Sequence, residues 1–166
     1  MSSSTLRIMG WLILSGGLLY GSAAIADWEA DLGHGICGPW GCGPPLQALI
    51  ACHLAWLSVL GPAALALASS PKFSPQALRT IGLVLIALAV LSLIGTLAHQ
   101  LLVWWPQTSE WHRPYFLHRY GFTIATTVDR PTVQVLLIGL TLWRVGRLRL
   151  RRLTVGIMPA THPDEP

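Results

Sequence analysis

Residues 80–109 read TIGLVLIALAVLSLIGTLAHQLLVWWPQTS, a run without a single Asp, Glu, Lys or Arg. An α-helix rises ~1.5 Å per residue and the hydrocarbon layer of a bilayer is ~30 Å thick, so about 20 apolar residues cross it. This run is long enough. Residues 8–26 and 32–71 are also free of charge, and a shorter charge-free run covers 131–143. Trimmed by breakers and polar edges, the runs predict spans at 7–26, 46–69, 80–105 and 131–147. The fourth reaches full length only if Arg144 and Arg147 extend toward the headgroups. Pro131, just after Asp129, suits a helix start, because Pro fits the first turn and a carboxylate favours the positive end of the helix dipole.

The rest of the chain agrees. Of its 166 residues, 52% are hydrophobic and only 11% charged, against about a quarter charged in soluble domains. The mean hydropathy is +0.54. A water-soluble domain, a disordered chain and a small secreted disulfide scaffold are excluded. The expected fold is an all-α membrane protein, a four-transmembrane-helix bundle forming one domain over residues 1–155, with a flexible tail at 156–166.

Orientation follows from the Lys and Arg residues of the connections. Arg7, Lys72, Arg79, Arg144, Arg147, Arg149, Arg151 and Arg152 fall on one side, and Arg113, Arg119 and Arg130 on the other. Both termini are therefore expected in the cytoplasm. The cluster Arg144, Arg147, Arg149, Arg151 and Arg152 reads as a lipid and topology anchor on anionic headgroups. With the net charge of +4 used for orientation, nucleic acid is not an expected partner. Ten Arg against one Lys fits a high-GC bacterial genome, hence a bacterial inner membrane. A second reading of the N-terminus exists: residues 8–20 resemble a signal-peptide core, and Ala24-Ile25-Ala26 a small-x-small cleavage site. The single Arg and the length of the apolar run favour a retained helix, in which Gly17 and Gly21 form a small-xxx-small packing pair.

Groups capable of chemistry gather on the outer side. Residues 33–45 read GHGICGPWGCGPP, a Gly and Pro density that forbids helix and imposes turns. The four residues between Cys37 and Cys42 can fold back and bring the thiols together, and an oxidising compartment makes a disulfide their expected state. The run Cys37-Gly38-Pro39 resembles the start of the thioredoxin-type C-G-P-C motif, but Trp40 and Gly41 lengthen the spacing. In layout the chain is similar to the quinone-coupled disulfide-generating membrane proteins, which have four spans, cytoplasmic termini and a cysteine pair in the first outer loop. That family also needs a cysteine pair in the second outer loop, and residues 106–130 contain no cysteine.

Two further sites are conceivable. His53 and His99 lie roughly 10 and 9 Å in from the outer ends of the second and third spans. Two imidazoles at one depth on neighbouring helices would suit haem b, a metal or a quinone. Alternatively His99 belongs to a polar packing stripe with Ser92, Gly95 and Thr96. His34, Cys37, Cys42 and Cys52 form a soft N/S set suited to copper(I) or zinc, provided the cysteines are reduced. The second outer loop, WWPQTSEWHRPYFLHRYGFTI from Trp104 to Ile124, is rich in aromatics and is expected along the membrane surface as an interfacial belt, or as a dock for a periplasmic partner, a lipid or a quinone headgroup.

No phosphate loop, G-x-S-x-G, H-E-x-x-H or intramembrane carboxylate pair occurs. The expected function is a non-catalytic accessory or assembly subunit of a membrane complex, with other membrane-protein subunits and the lipid bilayer as its partners. The alternative is a membrane redox or metal module holding haem, copper or quinone, or exchanging disulfides through Cys37 and Cys42.

Overall fold

In the computed structural model, residues 3–27, 37–39 and 41–155 are described. The elements are α1 (Ser3–Ala26), a hairpin of β1 (Cys37–Gly38) and β2 (Gly41–Cys42), α2 (Leu46–Ser69), α3 (Pro75–His99), α4 (Phe116–Thr126) and α5 (Thr132–Val155). Past His99 the α3 rod continues through a π turn, Gln100–Trp104, and a last α turn, Trp105–Gln107. A 3-10 turn, Arg113–Tyr115, leads into α4. Among the described residues the fold is all-α apart from the hairpin. Three stretches, Met9–Ala26, Leu46–Ser69 and Pro75–Gln107, are long and apolar enough to cross a membrane by length and composition.

The helix limits have local causes. Ser74 caps α3, its hydroxyl accepting from the Ala77 N–H at 3.1 Å. Pro75 follows in the first turn, where its missing N–H costs nothing. This helix therefore starts five residues before the expected boundary at 80, and only residues 70–74 form the turn after α2. The π turn at the other end stops just before Trp105-Pro106. Pro106 cannot donate to the carbonyl four residues back and its ring crowds that carbonyl, and a widened turn relieves the clash.

Packing fixes the order of the helices. α1 packs on α2, α2 on α5, and α5 most extensively on α3, so that α5 lies between α2 and α3. The α1–α2 pair is antiparallel: Ser15 donates to the Ser58 carbonyl at 2.9 Å, and Ser22, two turns on, to the Ala51 carbonyl at 2.7 Å. The α3–α5 pair is antiparallel and closer still. A Cβ on Gly82 would lie 2.5 Å from Trp143 N and 2.7 Å from Gly139 O, and one on Gly146 would lie 2.7 Å from both Arg79 N and Pro75 O. Only glycine admits such backbone approach. Leu78, Ala89 and Leu142 fill the seam and are fully buried. By contrast, among the described residues nothing lies within 4 Å of a Cβ added at Gly17 or Gly21, so no helix packs backbone-close on the expected small-residue pair of α1.

The level of α5 is set by two bonds. Ser92 and Thr132 share a hydrogen bond of 3.0 Å, so α5 begins level with Ser92. Some 15 residues of α3, roughly 22 Å, project beyond that point. α4 covers this projection by running back along it: Phe116 packs edge-on against Trp105 with ring centroids 5.5 Å apart, and the Tyr120 hydroxyl donates to the Leu93 carbonyl at 3.0 Å. The aromatic segment expected along one surface from Trp104 to Ile124 is thus not one continuous stretch. Residues 116–126 instead fold back on α3, because Gln100, Tyr120 and Thr123 find partners there.

Candidate functional site

The projecting end of α3, α4 and the hairpin form a cap. In the hairpin Cys37 pairs with Cys42 and Gly38 with Gly41 in antiparallel register, and the two cysteines form a disulfide. Gly41 has φ +120°, a left-handed conformation that favours glycine. It also lies where a Cβ would come within 2.9 Å of Arg119 Nη1, while one on Gly43 would meet the Phe122 ring at 2.6 Å. The glycines that made this loop unhelical are what let it lie directly on α4.

Beneath the hairpin, Arg119 joins the parts. Its Nε donates to Gln100 Oε1 at 3.1 Å, and its guanidinium lies 5.1 Å from the centre of the Trp104 ring. Gln100 is buried and donates in turn to the Thr123 hydroxyl at 3.1 Å. The π turn places Gln100 here. Between hairpin and α3 lies a cleft of about 500 Å³, lined by Gly38, Gly41, Trp104, Ser109, His112 and Arg119 among others. His112 is tied to the Ser109 hydroxyl at 2.8 Å through Nδ1. Trp111, next to His112 in the chain, is 87% exposed.

His53 does not face His99. Its Nε2 lies 3.0 Å from the Ala125 carbonyl, and its Nδ1 lies 2.6 Å from the Gln134 amide nitrogen. His53 thus uses both ring nitrogens within the protein. It ties α2 to the end of α4 and to the start of α5. Nearby, the Trp56 indole donates to the Val128 carbonyl at 2.7 Å. These bonds satisfy the backbone where the chain leaves α4 and turns into α5.

His99 is exposed and lines a separate groove with Gly95, Thr96, Thr123, Thr127 and Arg130. The expected pairing of His53 with His99 on neighbouring helices is therefore corrected: α5 separates α2 from α3, and His53 has no free nitrogen for an iron. Of the expected polar stripe, Thr96 donates to the Ser92 carbonyl and Ser92 bonds Thr132, while Gly95 and His99 are exposed. The soft metal set is not assembled either. Cys37 and Cys42 are bonded to each other, and Cys52 is a half-buried free thiol beside a gap lined by Leu19, Ala55, Trp56, Val59 and Val128. His34 lies outside the described residues. Among the described residues no group of three His, Cys, Asp or Glu could hold a metal.

At the opposite end, Arg149 donates to the carbonyls of Ala68 and Ser70, satisfying acceptors that end α2. Arg147 stacks on Trp143, 5.4 Å from its ring centre, and Arg144, Arg151 and Arg152 are exposed. The tail at 156–166 lies outside the described residues. No protein family's profile matches the sequence, and no characterised protein or solved structure shows significant similarity to the chain.

Proposed function

We propose that the protein is a non-catalytic accessory or assembly subunit of a membrane complex, embedded in a bacterial inner membrane by four spans with both termini in the cytoplasm. The observation that carries this reading is how its polar groups are used. His53, Gln100, Arg119, Trp56, Tyr120 and Arg149 each bond another part of the chain, and they do not converge on a common point where a substrate could react. Buried polar ties of this kind fix one arrangement of helices. Catalysis would instead call for groups held open toward a ligand.

The fourth span in this reading is α4 and α5 together, interrupted at residues 127–131. An interrupted helix is tolerated at membrane depth where protein satisfies the freed backbone, as His53 and Trp56 do for Ala125 and Val128. Arg144, Arg147, Arg151 and Arg152 then sit at cytoplasmic headgroups. The outer part of the cap, with the hairpin and the cleft, stands on the periplasmic side, and its disulfide and exposed aromatics make a pre-organised docking surface for a periplasmic or membrane partner. Purification from native membranes in mild detergent, with mass spectrometry of co-purifying proteins, tests this. A partner in fixed ratio, lost in Trp111→Asp, is the expected result, whereas an unaccompanied protein carrying a stoichiometric redox group would refute it. The exposed positions of Cys37 and Cys42 favour, as a second reading, exchange of their disulfide with a partner's thiols. A mixed disulfide trapped through Cys37 or Cys42 after loss of its mate would establish it.

A further inference from the structure

We propose that the groove between α3, α4 and the start of α5 seats the headgroup of an ethanolamine phospholipid from the outer leaflet, its phosphate on Arg130 and His99. The inference rests on α5 crossing the membrane as above, and is otherwise independent of the partner at the cap. The groove holds about 420 Å³ and is lined by Gly95, Thr96, His99, Thr123, Thr127 and Arg130.

Length makes the first argument. Only the stretch from Thr132 to Arg144 separates the start of α5 from its first arginine, about 18 Å of helix. The hydrocarbon layer is ~30 Å thick. With Arg144 drawn to the inner headgroups, Arg130 falls short of the outer ones. A guanidinium left in hydrocarbon is costly and in membrane proteins finds a counter-charge or reaches the interface. A groove at its own level brings a lipid phosphate inward to meet it. The Ser92–Thr132 bond puts the rim residues Gly95, Thr96 and His99 just beyond that level.

The lining chemistry makes the second. The Thr96, Thr123 and Thr127 hydroxyls all donate to backbone carbonyls, those of Ser92, Arg119 and Thr123 respectively. Their protons are committed and the Thr123 oxygen also accepts from Gln100, so it is chiefly the Thr96 and Thr127 oxygens that offer lone pairs toward the groove. Arg130 and His99 are the lining side chains with N–H groups left to donate. An anionic oxygen belongs on Arg130 and His99, and an ammonium belongs on the threonine oxygens. A phosphoethanolamine headgroup carries both, a few bonds apart. Asp129 lies 3.7 Å from Arg130 Nε, with both side chains about two-thirds or more exposed. Asp129 faces the guanidinium through Nε, and a phosphate takes the remaining N–H groups of Arg130.

The test uses the full-length protein, reconstituted in vesicles of mixed phosphatidylethanolamine and phosphatidylglycerol doped with ubiquinone, extracted in mild detergent and weighed by native mass spectrometry. One retained phosphatidylethanolamine per chain is expected. Arg130→Gln should lower its retention about tenfold, the loss of one charge-assisted hydrogen bond. His99→Ala should weaken it less, and Asp129→Asn should leave it intact or stronger. Equal retention in wild type and Arg130→Gln overturns the seat, as does selective retention of ubiquinone or phosphatidylglycerol. In a Cys52→Ala background, Glu110→Cys before α4 and Arg147→Cys near the end of α5, both at exposed positions, report the crossing. Labelling from opposite sides supports the span. Labelling from one side overturns span and seat together, so the two failures are told apart.

Discussion

Gly82→Ala adds one methyl group at the tightest backbone approach among the described glycines. The new Cβ would lie 2.5 Å from the backbone N of Trp143 and 2.7 Å from the carbonyl of Gly139. Ordinary contact begins near 3.4 Å, so the α3 and α5 backbones must part by ~0.9 Å, because neither obstacle is a side chain that can turn aside. A gap of that size forfeits a quarter to a half of each dispersion contact nearby, and Leu78 and Leu142 flank the seam with relative exposures of 0% and 1%. Overpacking of this kind costs about 1–3 kcal/mol. In lipid it is not offset by hydrophobic burial, since packing itself holds the helices together. Gly95→Ala is the control, with nothing within 4 Å of its added methyl. Reversible unfolding in mixed micelles by SDS titration, followed by far-UV circular dichroism, reads the difference. Gly82→Ala should unfold at clearly lower SDS and Gly95→Ala at the wild-type value. If the two variants unfold together, the close α3–α5 seam is refuted.

Other changes test the polar ties. His53→Leu leaves the Ala125 carbonyl and the Gln134 amide without their partner, and should destabilise by about 1–3 kcal/mol; His53→Leu with Gln134→Leu should recover part of that, because both ends of one bond are then apolar. The same SDS titration measures both. Arg149→Ala strips the last carbonyls of α2 and should cost about 1–2 kcal/mol, whereas Arg144→Ala, exposed on α5, should leave stability unchanged. Reducing Cys37–Cys42 removes a constraint worth about 2 kcal/mol to the cap. Hydrogen exchange should then rise in the hairpin and α4 while α2 and α5 keep their protection. An absorption spectrum of the purified protein should show no Soret band that depends on His53; a band abolished by His53→Ala would contradict its use as a tie.

Much of the helical framework was legible because lipid imposes a simple rule. The limits of α2 fall where charge and Gly/Pro patterning put them, at 46 and 69. The start of α3 was also written in the sequence, as the Ser74-Pro75 cap, but the charge at Arg79 suggested a later boundary. The α3–α5 seam was not legible in advance. Gly17 and Gly21 look like a packing pair as much as Gly82, Gly139 and Gly146 do, and only the three-dimensional order of the helices tells them apart. The π turn at Gln100 and the return of α4 depend on partners distant in sequence, Thr123 and Leu93, which no local pattern reveals. The disulfide followed from spacing and loop composition. The pairing of His53 with His99 rested on sequential helices being neighbours, and the insertion of α5 between them removed that premise. Gln134 was missed altogether, although a lone Gln in an otherwise apolar stretch is a sign of a buried partner.

The most direct test of the subunit assignment is the mass of the protein as it leaves its native membrane. Native mass spectrometry of the detergent-extracted, tagged protein should give one heteromeric species of fixed stoichiometry, dissociated by Trp111→Asp while the variant chain itself stays folded. A chain that leaves the membrane alone, carrying a haem, copper or quinone mass in one-to-one ratio, would contradict it.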